Sequence, residues 1–105
     1  RVVFPTKTGF EVVQSNSIVY CKSDGAYSSV YTIDKEYFTS KPFKEIEEIL
    51  QGNNFIRVHR SYLINKNFIK SFKSEDYKLE MITGELIPVS DSLFTKKKLI
   101  NVITG

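Results

Sequence analysis

Short runs of valine, isoleucine, tyrosine and phenylalanine, separated every few residues by turn-forming residues, dominate this chain. Such runs predict β-strands, because β-branched and aromatic side chains pack well on a pleated surface. Turn signals such as Asp24–Gly25 and Thr83–Gly84 separate them. The predicted strands are residues 2–4, 10–13, 18–22, 26–33, 36–39, 55–58, 62–64, 68–72, 77–82 and 86–89. The pattern predicts a mainly β fold with one or two short helices.

The first predicted helix covers residues 43–50. Pro42 suits the start of a helix, where its missing N–H has no partner to lose. Gly52 lies just beyond the end, where glycine commonly stops a helix. About two turns of helix cannot stand alone, so this one must pack on a sheet. Its apolar stripe is Phe43, Ile46, Ile49 and Leu50.

A second helix is predicted to begin at Ser90, which would act as its N-cap. Asp91 would then complement the positive end of the helix dipole, and Lys96–Lys98 would lie toward the negative end. The apolar side would be formed by Leu93, Leu99, Ile100 and Ile103. Pro88, near the end of the preceding strand, predicts an edge position for that strand.

Length and composition predict one domain, residues 1–105, with an ordinary globular composition. The chain begins with Arg1, and we expect it to be a fragment of a longer intracellular chain, cut at a domain boundary. No apolar run approaches the ~18 residues that a membrane helix needs. One cysteine and one histidine cannot form an internal disulfide or a zinc site, so no metal or other cofactor is expected.

The net charge of +3 is concentrated in the second half of the chain. Residues 56–105 hold nine basic groups and five acidic ones, and no acid interrupts the basic groups of residues 56–74. A basic segment of this kind suits a polyanionic partner such as nucleic acid, although it is often only a solvated face.

Residues that could perform catalysis are few. His59 is the only histidine, and Cys21 is nearly forty positions away in a predicted strand. The sequence has neither a glycine-rich phosphate loop nor an evident pair of carboxylates. We therefore expect a protein that is not an enzyme.

Residues 55–65, with the sequence F-I-R-V-H-R-S-Y-L-I-N, interleave polar donors with large apolar side chains. Arg57, Arg60, Ser61 and Asn65 could donate to phosphates or base edges, and arginine suits both because its planar fork binds bidentately. The alternative is that Arg57 and Arg60 form only salt bridges and that His59 is a half-buried structural imidazole. The residue types alone leave both interpretations open.

The same segment resembles the central signature of the LytTR family, F-x-R-x-H-R-S-y-[LVI]-[VI]-N, without a gap. LytTR domains are DNA-binding output domains of many bacterial response regulators. Further similarities follow in the family's order, and the resemblance covers roughly residues 2–103. The further similarities are residues 18–20 with the 24–27 turn, the helix at 43–50, Ile69 after Asn65, and the I-P-V-S sequence at residues 87–90.

This resemblance implies an elongated arrangement of small antiparallel sheets that contacts double-stranded DNA through loops at one end. Base contacts would come from Tyr27, Arg60 and the Ser90–Ser92 loop. Family members often carry a basic residue directly after the serine that corresponds to Ser90, and this chain has Asp91 there. Lys96 and Lys97 are possible substitutes for that basic residue. The residues placed at the DNA are Lys22, Ser23, Tyr27 and Ser28 in the first loop, Arg57, His59, Arg60, Ser61 and Lys66 in the second, Ser90, Asp91 and Ser92 in the third, and Lys96 and Lys97 beyond it.

The resemblance also implies a function: sequence-specific binding of duplex DNA as the effector domain of a two-component response regulator that controls transcription. An upstream receiver domain would promote dimerisation on direct-repeat half-sites when phosphorylated. Two alternatives stay open. A β-rich module could bind a peptide along a sheet edge, and a small basic domain with aromatic side chains could bind single-stranded nucleic acid.

Overall fold

In the computed structural model, which describes residues 1–52 and 54–105, ten strands and two helices follow one another along the chain. Most of the regular structure is β, as predicted. The helices are α1 (Phe43–Leu50) and α2 (Lys96–Thr104). The strands are β1 (Val2–Thr6), β2 (Gly9–Val13), β3 (Ile18–Asp24), β4 (Tyr27–Thr32), β5 (Glu36–Thr39), β6 (Phe55–His59), β7 (Tyr62–Asn65), β8 (Ile69–Lys73), β9 (Lys78–Met81) and β10 (Leu86–Pro88).

The described strands form three antiparallel sheets. The largest has the order β5-β4-β3-β7-β6, while β1 pairs with β2 and the third sheet has the order β10-β9-β8. β10 is an edge strand, as Pro88 predicted. The molecule measures 42 × 23 × 23 Å, so the expected elongated arrangement of small sheets is confirmed. None of the helices in the described ranges is long and apolar enough to cross a membrane.

Two apolar clusters hold these sheets together. One joins the large sheet to α1 and to the β1–β2 pair, and the other joins it to the three-stranded sheet and α2. The first cluster contains Phe4, Val13, Ile18, Cys21, Val30, Phe43, Ile46, Leu50 and Leu63. The second contains Val19, Tyr20, Ile56, Val58, Ile64, Leu79, Met81, Ile87, Val89 and Leu99.

Helix α1 has the predicted bounds and the predicted apolar stripe. Phe43, Ile46 and Leu50 are buried against the large sheet, and each contributes roughly 1.5–3 kcal/mol by leaving water. Pro42 precedes the helix in an extended conformation. The helix therefore lies across the sheet with its glutamates outward, and this places Glu47 within reach of β6.

Helix α2 begins later than the sequence predicted. Its N-cap is Thr95, whose hydroxyl oxygen accepts a hydrogen bond from the backbone N–H of Lys98 at 3.2 Å. The prediction that Ser90 caps this helix is wrong. Residues Ser90–Phe94 instead form a tight turn, in which the backbone N–H groups of Leu93 and Phe94 both donate to the carbonyl oxygen of Ser90.

The later start changes what the charged and apolar residues of this segment do. Asp91 lies in the turn and not at the helix end, and Lys96–Lys98 occupy the first turn of α2, at the positive end of its dipole. Leu99 is buried, and Val102 and Ile103 pack beside it. The predicted apolar residues Leu93 and Ile100 are exposed. Leu93 lies in the turn that precedes α2 and so is not part of the helix face.

Tyr77 was predicted to belong to a strand and lies instead in the turn before β9. Its backbone adopts the left-handed conformation, with φ of 53°. The ring meets the ring of Phe72 edge-on at 5.0 Å, and the hydroxyl donates a 2.7 Å hydrogen bond to the carbonyl oxygen of Phe94. These contacts attach the β8–β9 turn to the segment that leads into α2.

Candidate nucleic-acid interface

The first predicted loop is the hairpin that joins β3 to β4. Asp24 pairs with Tyr27 at its end, and Gly25 adopts a φ of 67° that favours glycine. Lys22 and Tyr27 are exposed, and 52% of the Tyr27 surface is accessible. Ser28 is not available to a ligand, because it is fully buried and its hydroxyl donates to the carbonyl oxygen of Lys41 at 2.9 Å. The prediction of Ser28 as a DNA contact is therefore not supported by its position.

The second predicted loop is the turn from β6 to β7. The pairing register shifts between Arg57 and His59, and an irregularity of this kind re-aims the side chains beside it. The Nδ1 atom of His59 accepts a hydrogen bond from the backbone N–H of Ser61 at 3.1 Å. His59 is therefore a half-buried residue that shapes the turn, and the exposed side chain of Arg60 projects from it.

Two backbone hydrogen bonds bring the three predicted loops together. The N–H of Ser23 donates to the carbonyl oxygen of Ser61 at 2.9 Å, and so joins the first loop to the second. The N–H of Ser90 donates to the carbonyl oxygen of Val58 at 2.8 Å, and so joins the third loop to the second. Loops that are far apart in sequence therefore form one continuous surface.

Tyr62 contacts two residues of this surface, Lys22 and His59. It pairs with Lys22 across β3 and β7, and the Lys22 ammonium lies 5.8 Å from the centre of the Tyr62 ring. The ring of His59 meets Tyr62 edge-on at 5.6 Å. Tyr62 is not among the predicted site residues, although it lies inside the eleven-residue signature. Only the strand register shows that it lies between these two residues.

Tyr62 belongs to a row of rings that continues across the sheet. Tyr20 lies 6.3 Å from Tyr62 and stacks on Tyr31 with ring centres 4.3 Å apart. Burial, and then the neighbouring Tyr31, raise the pKa of Tyr20 well above its ordinary value. Tyr20 is a buried core residue whose ring packs between those of Tyr31 and Tyr62.

The guanidinium of Arg57 already has partners within the protein. Its Nη1 atom lies 3.0 Å from the Glu47 carboxylate, and its Nη2 atom donates to the carbonyl oxygen of Arg60 at 2.6 Å. The guanidinium also lies over the ring of Phe43, 5.1 Å from its centre. Of the two open interpretations, ion pairing therefore describes Arg57, and the exposed Arg60 is available to a ligand.

Lys66 does not lie near the His59–Ser61 turn, although the sequence analysis placed it there. It follows the last residue of β7, whereas the turn precedes the first. Four strand residues separate them by roughly 13 Å. The backbone N–H of Lys66 donates to Asn54 at 3.0 Å, at the opposite end of the strand. This prediction was wrong because the turn and Lys66, although close in sequence, lie at the two ends of the extended strand β7.

The third loop presents small polar groups and one acid. The hydroxyl oxygens of Ser90 and Ser92 are 2.8 Å apart, and Asp91 is exposed between them. Lys96 and Lys97 are exposed in the first turn of α2, beyond the loop. The negative charge of Asp91 is therefore not balanced by a basic residue within Ser90–Phe94.

Within residues 1–52 and 54–105, no group of three or more histidine, cysteine, aspartate or glutamate side chains is arranged to hold a metal ion. Cys21 lies in the core, and burial raises the pKa of its thiol far above the ordinary value, so the nucleophilic thiolate does not form near neutral pH.

A family model described as the LytTr DNA-binding domain matches residues 8–100. The chain belongs to this family. The resemblance to the LytTR family that residues 55–65 carry is therefore confirmed, and these residues contain the turn that joins the three loops.

Relatives and a solved structure agree with this membership. LytT, a sensory transduction protein of Bacillus subtilis (strain 168), is 34% identical to this LytTR chain over 95 residues, which cover 87% of the chain and 39% of LytT. RcoM, a CO-responsive transcriptional regulator of Rhodospirillum rubrum, is 28% identical over 90 residues, which cover 82% of the chain and 38% of RcoM. The chain thus spans about two fifths of the length of these curated relatives. The solved LytTr DNA-binding domain from Bacillus cereus matches with a TM-score of 0.78 at 26% identity, over 99% of this chain and 95% of that domain.

Proposed function

We propose that this LytTR domain binds double-stranded DNA sequence-specifically through the joined surface of its three loops, as the effector part of a bacterial transcriptional regulator. The observation that carries the proposal is the pair of hydrogen bonds from Ser23 to Ser61 and from Ser90 to Val58. They fix exposed side chains of three loops relative to one another, and base readout requires such fixed geometry.

The exposed side chains divide by chemistry into two roles. Arg60 has a planar fork that fits guanine O6 and N7 or a phosphate, and it is the central group of the surface. Lys22 is a point charge suited to phosphate, and it supplies affinity without sequence preference. Tyr27 and Ser92 offer hydroxyl groups beside them, and we assign base contacts to these two residues.

The other residues predicted to contact DNA have different parts in the proposed interface, according to where they lie. Four of them shape and join the loops, and we assign their side chains to the edge of the surface: Ser23, His59, Ser61 and Ser90. Asp91 opposes phosphate, but a carboxylate can accept from cytosine N4. Lys96 and Lys97 extend the basic surface along the first turn of α2, whereas Ser28 and Lys66 are left out of the proposed interface.

The larger context of the proposal comes from the family. LytT and RcoM are named as a sensory transduction protein and a transcriptional regulator. We propose that this domain likewise works in the cytoplasm, joined to a receiver domain whose phosphorylation brings two copies onto direct-repeat half-sites. No cofactor is needed for the contacts described.

The proposal is tested by selecting a duplex from a random library and titrating it with the domain by fluorescence anisotropy. Arg60→Ala is expected to lose about 1–3 kcal/mol of binding free energy and to reduce the slope of log affinity against log salt by about one. Lys35→Ala is the matched control. It removes one positive charge at the β4–β5 connection, at the far end of the same sheet. Equal affinities for Arg60→Ala and wild type would contradict the proposed interface.

The same titration separates the two alternative functions. A duplex-binding domain prefers the selected duplex over its separated strands, whereas a base-stacking protein prefers the strands. A module that adds a peptide strand to a sheet edge shows little dependence on salt, because main-chain hydrogen bonds supply its affinity. The preference among these ligands therefore decides which class of function the surface serves.

A further inference from the structure

The contacts of Arg57 link helix α1 to the turn that presents Arg60. The side chain reaches two acceptors at once, the Glu47 carboxylate at 3.0 Å and the carbonyl oxygen of Arg60 at 2.6 Å. Its charged plane lies over the Phe43 ring. Both ends of the ion pair are partly shielded, with 37% of the Arg57 side chain and 35% of the Glu47 side chain accessible. Arg57 is thus held from α1 on one side and holds the turn on the other.

This arrangement depends on the geometry of a guanidinium. Separate nitrogen atoms of a rigid planar fork donate to Glu47 and to Arg60, whereas the ammonium of a lysine carries all its donors on one atom. The positive charge of Arg57 is paired with Glu47, which leaves less of it for a phosphate. A residue that binds phosphate needs charge at the surface, and a residue that positions a turn needs the two separate donors.

The contact is made where the backbone of the turn is irregular. The pairing register shifts between Arg57 and His59, and the His59 ring accepts from the N–H of Ser61. The carbonyl oxygen of Ser61 in turn accepts from Ser23 in the neighbouring loop. The carbonyl oxygen of Arg60 is therefore the point at which α1 can fix the direction of the whole turn.

We infer that Arg57 is a positioning residue, which fixes the direction in which the Arg60 side chain meets DNA, and that Glu47 and Phe43 of α1 hold Arg57 in place. This inference rests on the proposed function of duplex binding. It assigns to Arg57 a role different from the direct DNA contact that the resemblance implied.

A double-mutant cycle with Arg57→Lys and Arg60→Ala tests the inference. Arg57→Lys keeps the charge and loses the fork, so affinity for the selected duplex falls by at least about fivefold while the salt slope stays that of wild type. Arg60→Ala removes the presented side chain but keeps the carbonyl oxygen. In that background, Arg57→Lys is expected to cost less than about twofold, because nothing remains to be aimed.

A phosphate contact by Arg57 gives the opposite pattern. Arg57→Lys would then bind nearly as well as wild type, and Arg57→Ala would lose affinity equally in both backgrounds with a smaller salt slope. Either result overturns the inference. A role in stability alone would lower the melting temperature of Arg57→Lys and leave the affinity of the folded protein unchanged, which also overturns it.

A second pair of variants tests the part assigned to α1. Glu47→Ala and Glu48→Ala each remove one negative charge from the same turn of α1, but only Glu47 forms an ion pair with Arg57. Weaker duplex binding by Glu47→Ala than by Glu48→Ala supports the inference, and equal binding contradicts it.

Spectra of the DNA-free protein separate failure of this inference from failure of the proposed function. Arg57→Lys is expected to shift the amide resonances of Arg60 and Ser61 and to leave that of Lys78, in the three-stranded sheet, unchanged. If wild type binds no duplex, the proposed function fails, and these shifts decide whether Arg57 holds the turn. Unshifted Arg60 and Ser61 resonances would overturn the positioning role whatever the DNA result.

Discussion

The side-chain amide of Asn65 donates a 3.0 Å hydrogen bond to the carbonyl oxygen of Ile18, although the two residues are 47 positions apart. Its own carbonyl oxygen accepts from the backbone N–H of Asn67 at 3.0 Å. Asn65 is 2% exposed. The last residue of the eleven-residue signature therefore joins the end of β7 to the start of β3, at the opposite end of these strands from the proposed interface.

Asn65→Asp is expected to lower the free energy of unfolding by about 1–3 kcal/mol, because a buried carboxylate would face the carbonyl oxygen of Ile18. The loss is measured by urea unfolding followed by circular dichroism. Asn67→Ala is the control, since the side chain of Asn67 is exposed and its backbone N–H is kept. Asn65→Asp with the same unfolding midpoint as wild type would contradict a role for this amide.

The start of α2 predicts different effects for two hydroxyl residues. Thr95→Ala removes the observed cap and should cost about 1 kcal/mol of stability. Ser90→Ala removes only a hydroxyl that pairs with Ser92, and it should cost clearly less. Thermal unfolding of the two variants checks this order, and the reverse order would place the helix start at Ser90.

Asp91→Asn is expected to leave stability unchanged, because Asp91 lies in an exposed turn and not at a helix end. It should strengthen binding to duplexes of unrelated sequence, more at low salt than at high salt, because screening weakens the repulsion from phosphate. Anisotropy titrations across a salt series measure the gain. Asp34→Asn removes the same charge at the β4–β5 connection and should produce a smaller gain, and equal gains would place Asp91 away from the DNA.

Tyr27→Ala should reduce the preference for the selected duplex over a scrambled one, while the melting temperature changes little because the side chain is half exposed. Tyr27→Phe distinguishes the hydroxyl from the ring: if the hydroxyl contacts a base, both variants lose the preference. Phe10→Ala removes an aromatic side chain that is 65% exposed in β2 and serves as the control. Equal losses on both duplexes together with a lower melting temperature would make Tyr27 a packing residue.

Glu80 predicts a pH dependence of stability. The hydroxyl of Ser71 donates to its carboxylate at 3.0 Å, and Lys70 and Lys73 lie nearby, so the pKa of Glu80 falls below its ordinary value. A carboxyl whose pKa is lower in the folded state stabilises the fold above its ordinary pKa near 4.5. That stabilisation disappears as the pH falls through the folded-state pKa. Glu80→Gln should therefore have a lower melting temperature than wild type at pH 7 and the same melting temperature at low pH. A difference in melting temperature that stays constant at every pH would contradict this.

The sequence predicts local features well where a single pattern decides them. The stripe of Phe43, Ile46 and Leu50 and the flanking Pro42 determine α1 in the sequence as they do in the structure. Ser90 and Thr95 are both chemically suitable caps, and the choice between them depends on a contact from Ser90 to Val58 in another sheet. Periodicity carries no information about such a contact.

For the candidate site too, the sequence predicts the local features and not the contacts between distant elements. The signature contains the turn and its exposed Arg60, but it does not distinguish the roles of Arg57 and Arg60. That distinction requires Glu47, which comes from a helix ten positions earlier and meets Arg57 only when α1 packs on the sheet. Lys66 was misplaced for a related reason, since the length of β7 decides which residues share an end.

Both hydrogen bonds that join the three loops are made by backbone groups, so they do not depend on which side chains stand at positions 23, 58, 61 and 90. Among natural substitutions, only proline at 23 or 90 removes a donor. The side chains that meet a base pair can therefore be exchanged without releasing the frame that aims them. A domain of this build can acquire a new target sequence through a few surface substitutions, and its regulatory circuits can diverge while its architecture stays the same.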